Sequence, residues 1–210
     1  MNQLKFDDSL LAEFTAENTL IAGADEVGRG ALFGSVVASA VVIPFASIPQ
    51  LVALGVKDSK KLSPAKRQQL IQPIRELVVG WQISSVSVAE IDKLNILQAS
   101  LLAMKRCILN LPVTPDICLI DGNKPIPNLE LRQKTVVKGD LRSPVIAAAS
   151  ILAKVWRDES IIDLANQYPQ YDLSRNKGYP TVKHRLAIQK YGISPQHRRS
   201  FKSCQNKVGF

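Results

Sequence analysis

The sequence predicts an α/β fold in which a mixed sheet is flanked by helices and followed by a small, basic, helical C-terminal segment. Three observations carry this. Short β-branched apolar runs alternate with stretches whose apolar residues recur at helical spacing. The first two runs, 20–25 and 36–43, are joined by a glycine-rich turn, which predicts an antiparallel pair. Serine signals for helix starts stand at Ser63-Pro64, at Ser87 with Glu90 three residues on, and at Ser143-Pro144.

In chain order, Leu10, Leu11 and Phe14 among acids predict a short surface helix within 1–19. The strand 20–25 ends in two adjacent carboxylates, Asp25 and Glu26. The stretch 30–56 holds no charged residue, and by length alone it could cross a bilayer. Pro44, Pro49, Gln50, Ser35, Ser39 and Ser47 interrupt it, so a buried strand followed by a loop fits better. The helix after Ser63 has Leu70, Ile71, Ile74, Leu77 and Val78 at helical spacing. Alternation after Gly80 predicts a strand over 81–88. From Ser87 one long helix is expected to Asn110, with Ile91, Leu94, Leu97, Leu101, Met104 and Ile108 as its stripe, before Pro112 and Pro115 break it. Strands follow over 116–121 and 131–138. The run 145–153 is small and apolar all round, which predicts a buried helix packed closely on the sheet and continuing to Gln167. Tyr168-Pro169 ends it and marks the only boundary, dividing a domain over 1–168 from a basic segment over 169–210. One more helix is expected over 181–191.

With 210 residues, 46% hydrophobic and 21% charged, the chain can bury a sizeable core and is not disordered overall. The net charge of +9 is unevenly placed. Nine of the 27 Lys and Arg fall in 173–210, the last acid is Asp172, and the preceding residues balance at 18 of each sign. Such asymmetry suggests a polyanionic partner, with Tyr179 and Tyr191 interleaved among the charges; a solvated basic tail is the alternative. Cys107, Cys118 and Cys204 are odd in number and lack metal-ligand spacing, which argues against a zinc site or a disulfide framework and predicts a reducing, cytoplasmic setting. The N-terminus lacks the basic-then-apolar layout of a signal peptide.

Chemistry is expected where strands end in acids. Asp25 and Glu26 end the first strand, Asp121 ends 117–120, and Asp140 ends 135–138. If these strands are neighbours, four carboxylates converge on one sheet edge and repel one another unless cations fill the space. Oxygen ligands without Cys or His suit Mg²⁺ or Mn²⁺, and two such ions are the usual arrangement for phosphodiester hydrolysis. Taken singly, Asp121-Gly122 and Gly139-Asp140 read better as turns, whereas two consecutive acids on an apolar strand serve no packing purpose. Gly28-Arg-Gly30-Ala-Leu-Phe-Gly34 has the wrong spacing for a dinucleotide loop, and strand-like sequence follows it. Close backbone approach to a sugar or phosphate is the better use of these glycines. Arg29 is either a phosphate contact or a surface charge.

Asp25-Glu-Val-Gly-Arg-Gly30, Asp58-Ser-Lys-Lys-Leu-Ser63, Ile120-Asp-Gly122 and Lys138-Gly-Asp140 resemble the ribonuclease HII family. So do Ile146-Ala-Ala-Ala-Ser-Ile-Leu-Ala-Lys-Val155, Asn176-Lys-Gly-Tyr179 and His197-Arg-Arg-Ser-Phe201, all in the family's order and spanning nearly the whole chain. The resemblance implies a ribonuclease H-like fold. It implies a divalent-metal endoribonuclease that cuts the RNA strand of RNA–DNA hybrids and single ribonucleotides embedded in duplex DNA, leaving 3′-hydroxyl and 5′-phosphate ends, with roles in ribonucleotide excision repair and DNA replication. Carried over by position, it makes Asp25, Glu26, Asp121 and Asp140 the metal-binding catalytic carboxylates. It makes Gly28, Arg29 and Gly30 the loop that reads a 2′-hydroxyl at an RNA–DNA junction, and Tyr179 the ring that packs on the adjacent deoxyribose. Ala31 stands where members commonly have proline, and Ser35 where Gly-Pro-Val is usual.

Other residues have plainer readings. Lys60 and Lys61 are phosphate contacts or a solvated pair. His184, on an expected surface helix, and His197, among arginines, fit structural or phosphate-contact roles better than general-base roles. Asp158 fits a salt-bridge partner better than a fifth ligand. A monomer without a small-molecule cofactor or membrane association is expected. A non-catalytic hybrid- or duplex-binding protein is the alternative to the nuclease, and a nucleotide-binding enzyme using the glycine loop is a third reading.

Overall fold

The computed structural model describes residues 16–205; Leu10, Leu11 and Phe14 of the expected surface helix lie outside them. In chain order the elements are β1 (Leu20–Val27), β2 (Val36–Pro44), α1 (Ile48–Ala53), α2 (Pro64–Leu77), β3 (Gly80–Val86), α3 (Val88–Leu94), α4 (Ile96–Leu109), β4 (Ile117–Asp121), β5 (Gln133–Val136), α5 (Gly139–Arg142), α6 (Pro144–Ala165), α7 (Leu173–Asn176), α8 (Val182–Tyr191) and α9 (Lys202–Gln205). The sheet runs β3-β2-β1-β4-β5. β1, β2 and β3 pair antiparallel, and β4 and β5 join β1 in parallel, so the sheet is mixed as expected.

Alternation along the central strands sorts their residues onto two faces. Ile21, Val41, Ile43, Ile117 and Leu119 pack against Val145, Ala148, Ile151 and Leu152 of α6, with α1 and α2 on the same side. Ala22, Ala24, Ala38, Ala40, Cys118 and Ile120 pack against Ala99, Ala103, Met104 and Cys107 of α4. α6 approaches β1 closely because position 23 is glycine: a Cβ there would stand 2.6 Å from the Val145 carbonyl carbon.

Several expectations shift. β1 does not stop at Asp25 but continues to Val27, held by the Val27–Val37 pairing, so the two acids lie within the strand. β3 ends at Val86 because Ser87 caps α3 in a complete capping box. The single long helix expected after it is two helices. Asn95 takes φ 72° between them, and its side chain caps α4 by accepting from the Gln98 amide at 3.1 Å. α1, in the stretch expected as loop, starts at Ile48 with Pro49 in its first turn, where proline's fixed φ is already helical. β5 ends at Val136. Lys138 at φ 55° turns the chain, so Asp140 stands in the first turn of α5 and not at a strand end.

After Tyr168 the chain folds back over the turn that follows β1. Tyr171, Leu173, Ile188 and Cys204 enclose Leu32, Phe33 and Ile161, and Phe33 forms an isolated bridge with His197. All three cysteines are free and buried. Among the described residues no helix is long and apolar enough to cross a membrane.

Candidate active site

The parallel pairing of β1 with β4 brings the acids together. Ala24 is in register with Ile120, so one step further along both strands Asp25 and Asp121 stand side by side. One carboxylate oxygen from each of Asp25, Glu26 and Asp121 lies within 4.8 Å of the others. Asp140 lies outside this trio but lines the same cavity of about 470 Å³, together with Gly28, Arg29, Gly30, Lys60 and Tyr179. The cavity thus gathers the four acids, the glycine turn, Lys60 and Tyr179, but not Lys61.

The electrostatics follow from burial. Asp25 is 6% exposed. Burial, then the charges of Asp121 and Glu26, push its pKa well above the ordinary carboxylate value, opposed by a hydrogen bond from Ser150. Burial also raises Glu26, against the pull of Arg29, whose Nη1 donates to Glu26 Oε1 at 3.1 Å. Asp121 is raised by burial, while the Gly139 amide, donating to its Oδ1 at 2.6 Å, favours the charged form. Carboxylates held above their usual pKa by confinement and mutual repulsion carry more negative charge than Arg29 and Lys60 offset.

Lys60 stands on a 3-10 turn over Ser59–Lys61, which Asp58 caps by accepting from the Lys60 amide at 2.9 Å. Ser59 Oγ lies 3.0 Å from Ser150 Oγ, tying the turn to α6. The Lys60 ammonium donates to Asp140 Oδ2 at 3.3 Å and is largely exposed. Burial opposes its charge, but Asp140, Asp25 and Asp58 outweigh that and raise its pKa. Lys61 is exposed and does not line the cavity.

Two buried arginines shape the glycine turn. Arg157 of α6 donates to the carbonyls of Ser35 (3.1 Å), Phe33 (3.0 Å) and Lys177 (2.9 Å). Arg198 donates to those of Gly34 and Arg29, both at 3.0 Å. The turn's glycines differ in what demands them. Gly28 has φ +94°, and a Cβ on it would meet Arg157 Nε at 2.2 Å. Among the described residues, no atom beyond its chain neighbours comes within 4 Å of a Cβ position on Gly30, so the space there is open.

Tyr179 is half-buried at the cavity rim, its ring centroid 5.5 Å from the Arg157 guanidinium and 5.7 Å from the Lys154 ammonium. The histidines are not in the cavity lining. His184, expected on a surface helix, is instead fully buried, as is His197. Asp158 is an ion-pair partner, to Lys154 at 2.7 Å and Arg67 at 4.0 Å. Sequence reasoning passed over Ser59, Ser150 and Lys154 in the cavity wall, and Arg157 and Arg198 beneath the turn. Ser150 left one signal: it is the only hydroxyl in the otherwise apolar run 145–153.

The ribonuclease H2 from Pyrococcus horikoshii superposes with a TM-score of 0.77, covering 89% of this chain and 96% of that one at 26% identity. By fold and by the acid-lined edge of its sheet, the protein belongs among the ribonuclease H-like enzymes. The family model described as Ribonuclease HII matches residues 22–204. The ribonuclease HII of Acaryochloris marina is 60% identical over 185 residues, covering 88% of this chain and 93% of its own length. That of a Nostoc species is 53% identical over 212 residues, covering 97% and 94%. The chain therefore belongs to the ribonuclease HII family, endoribonucleases that act on RNA–DNA hybrids and depend on divalent metal.

Proposed function

We propose that the enzyme cuts both the RNA strand of RNA–DNA hybrids and single ribonucleotides embedded in duplex DNA, leaving 3′-hydroxyl and 5′-phosphate ends. The observation that carries this is the convergence of Asp25, Glu26 and Asp121 on the floor of a cavity rimmed by Gly28, Arg29, Gly30 and Tyr179. The donor set fits hard divalent cations. It is all oxygen, it holds no Cys or His, and its carboxylates are strained by their own charge. Asp25, Glu26 and Asp121 would hold Mg²⁺ or Mn²⁺, with Asp140 completing the set for a second ion. When bound, such ions neutralise charge on the phosphate and make water a better nucleophile.

The chain's own groups supply the choice of bond. Gly28 and Gly30 let backbone polar groups approach a 2′-hydroxyl, the one group that separates RNA from DNA at a site. The open space beside Gly30 among the described residues supports this. The Tyr179 ring accepts a deoxyribose on its apolar face and disfavours a 2′-hydroxyl there. Arg29 and Lys60, now paired with Glu26 and Asp140, in this reading exchange those partners for phosphate oxygens. In this reading residues 1–168 form the catalytic domain, and 169–210 add binding surface. The protein works as a cytoplasmic monomer with no small-molecule cofactor.

The test offers an RNA–DNA hybrid and a DNA duplex containing one ribonucleotide, each with Mg²⁺ or Mn²⁺. Cleavage of both is expected, with 3′-hydroxyl and 5′-phosphate ends, and with loss of cleavage when the metal is chelated. Binding without cleavage would mark a non-catalytic binder, and full activity in Asp25→Asn would remove the acid trio from the chemistry.

A further inference from the structure

Behind Tyr179, away from the cavity, lie His184 and His197 with their Nε2 atoms 3.1 Å apart. Their proton positions follow from their other partners. Nδ1 of His197 faces the Ser194 amide at 2.9 Å, which can only donate, so this Nδ1 accepts and the proton of neutral His197 sits on Nε2. Nδ1 of His184 faces the Tyr179 carbonyl oxygen at 2.9 Å, which can only accept, so this Nδ1 carries a proton and its Nε2 bears a lone pair. The two assignments agree: His197 donates to His184, and His184 donates to Tyr179. The Ser194 hydroxyl, also 2.9 Å from His197 Nδ1, adds a second donor at the far end. Burial keeps both rings below the ordinary histidine pKa, His197 at about 4, where the neighbouring His184 adds to the effect. A further proton on either ring would set donor against donor.

This chain of bonds ends on the backbone of the residue proposed to pack on the deoxyribose. The Tyr179 carbonyl also accepts from the Thr181 amide at 2.8 Å, and the preceding Gly178 carbonyl accepts from Leu32 at 2.8 Å, in the loop after the glycine turn. Phe33 stacks edge-on to His197 with centroids 5.1 Å apart. The pair therefore sits where the segment bearing Tyr179 meets the loop that follows Gly30.

We propose that His184 and His197 are positioning residues for junction recognition, a proton-ordered pair that fixes the Tyr179 backbone and hence the placement of its ring against the glycine turn. This rests on the reading of Tyr179 as the deoxyribose contact.

Two substitutions at one position separate positioning from simple packing. The side-chain amide of His184→Asn falls where Nδ1 was and keeps a donor for the Tyr179 carbonyl, while giving up the bond to His197. That of His184→Gln falls near Nε2, keeps a partner for His197 and gives up Tyr179. The readout is the ratio of kcat/KM for a duplex with one ribonucleotide to that for an RNA–DNA hybrid, with thermal unfolding measured alongside. His184→Asn is expected to keep this ratio within about twofold, and His184→Gln to lower it by about tenfold, the scale of one lost hydrogen bond. Losses of thermal stability in the two should be similar.

Added to Tyr179→Ala, the Gln substitution should lower the ratio no further. Ser194→Ala, which removes one of two donors to His197, is the milder variant should His184→Gln not fold, and should lower the ratio by about threefold. Equal ratios in the Asn and Gln variants, or changes that only follow thermal stability, overturn the positioning role. If Tyr179→Ala itself leaves the ratio unchanged, the reading of Tyr179 fails first and the positioning role falls with it. A Tyr179→Ala effect with normal discrimination in His184→Gln and Ser194→Ala defeats the histidine proposal alone.

Discussion

Asp25 shows how a residue can work against its own fold. Its carboxylate is buried beside Glu26 and Asp121, and its pKa is pushed well up by burial and then by those two charges. In the metal-free folded protein, charge on Asp25 therefore costs more than it does in the unfolded chain. Asp25→Asn keeps the shape and removes the charge. Without metal at pH 7 it should unfold at a higher temperature than the wild type, by about 1–2 kcal/mol of stability. The raised folded-state pKa fixes the sign of the pH dependence. Above it the wild type carries the full penalty. As pH falls through it the folded wild type takes up the proton, and the advantage of the variant shrinks toward zero. Cleavage should meanwhile drop by more than about 100-fold, the upper end of what losing even an outer partner of a metal site costs. Calorimetry from pH 7 to 4 with chelator present checks the first half: an advantage that does not change with pH would mean that charge is not the source of strain.

At the scale of elements, α6 carries much of the site. It lends Ser150 and Lys154 to the cavity wall and Arg157 to the glycine turn. Its distance from β1 is set at Gly23, where an added Cβ would lie 2.6 Å from Val145 C and 2.7 Å from Ile146 N. Both are backbone atoms and cannot swing away. Gly23→Ala should push α6 off the sheet, costing about 1–3 kcal/mol. Activity should fall further than the folded fraction does, because Ser150, Lys154 and Arg157 move as a unit. Denaturant unfolding and cleavage assayed well below the melting temperature separate the two effects; equal losses in both would leave α6 a passive support. The closeness of this packing was legible in the small residues of 145–153, and the acid trio in carboxylates at the ends of apolar runs. Other features had no local signal. The apolar stripe continues from Leu94 to Leu97 across Asn95, so spacing does not reveal its left-handed backbone. A four-residue helix such as α5 has no period by which Asp140 could have been placed. Arg157 and Arg198 look like surface charges in sequence, because carbonyls that accept from them lie up to 169 positions away.

Across the whole molecule, the positive charge concentrated after Asp172 divides by what each cation touches. Arg198 is spent inside, on the carbonyls of Arg29 and Gly34, and Arg185 donates to the Pro180 carbonyl. Lys183 and Lys190 are exposed on α8, which begins three residues after Tyr179 at the cavity rim. Seven residues apart, they lie about 10 Å from each other along one helix face, a spacing that several phosphates of a duplex would span. Lys183→Gln with Lys190→Gln should therefore weaken binding of hybrid and duplex substrates to a similar degree and lower the slope of log affinity against log salt by about 2. Discrimination between a junction and an all-RNA strand should stay as it was, because phosphate contacts position a substrate and do not read its sugars. Fluorescence anisotropy with a chelated, non-cutting sample across a salt series measures the slope. An unchanged slope would leave these lysines as solvated surface charge and move the substrate path to the other side of the cavity, toward Lys60 and Arg29.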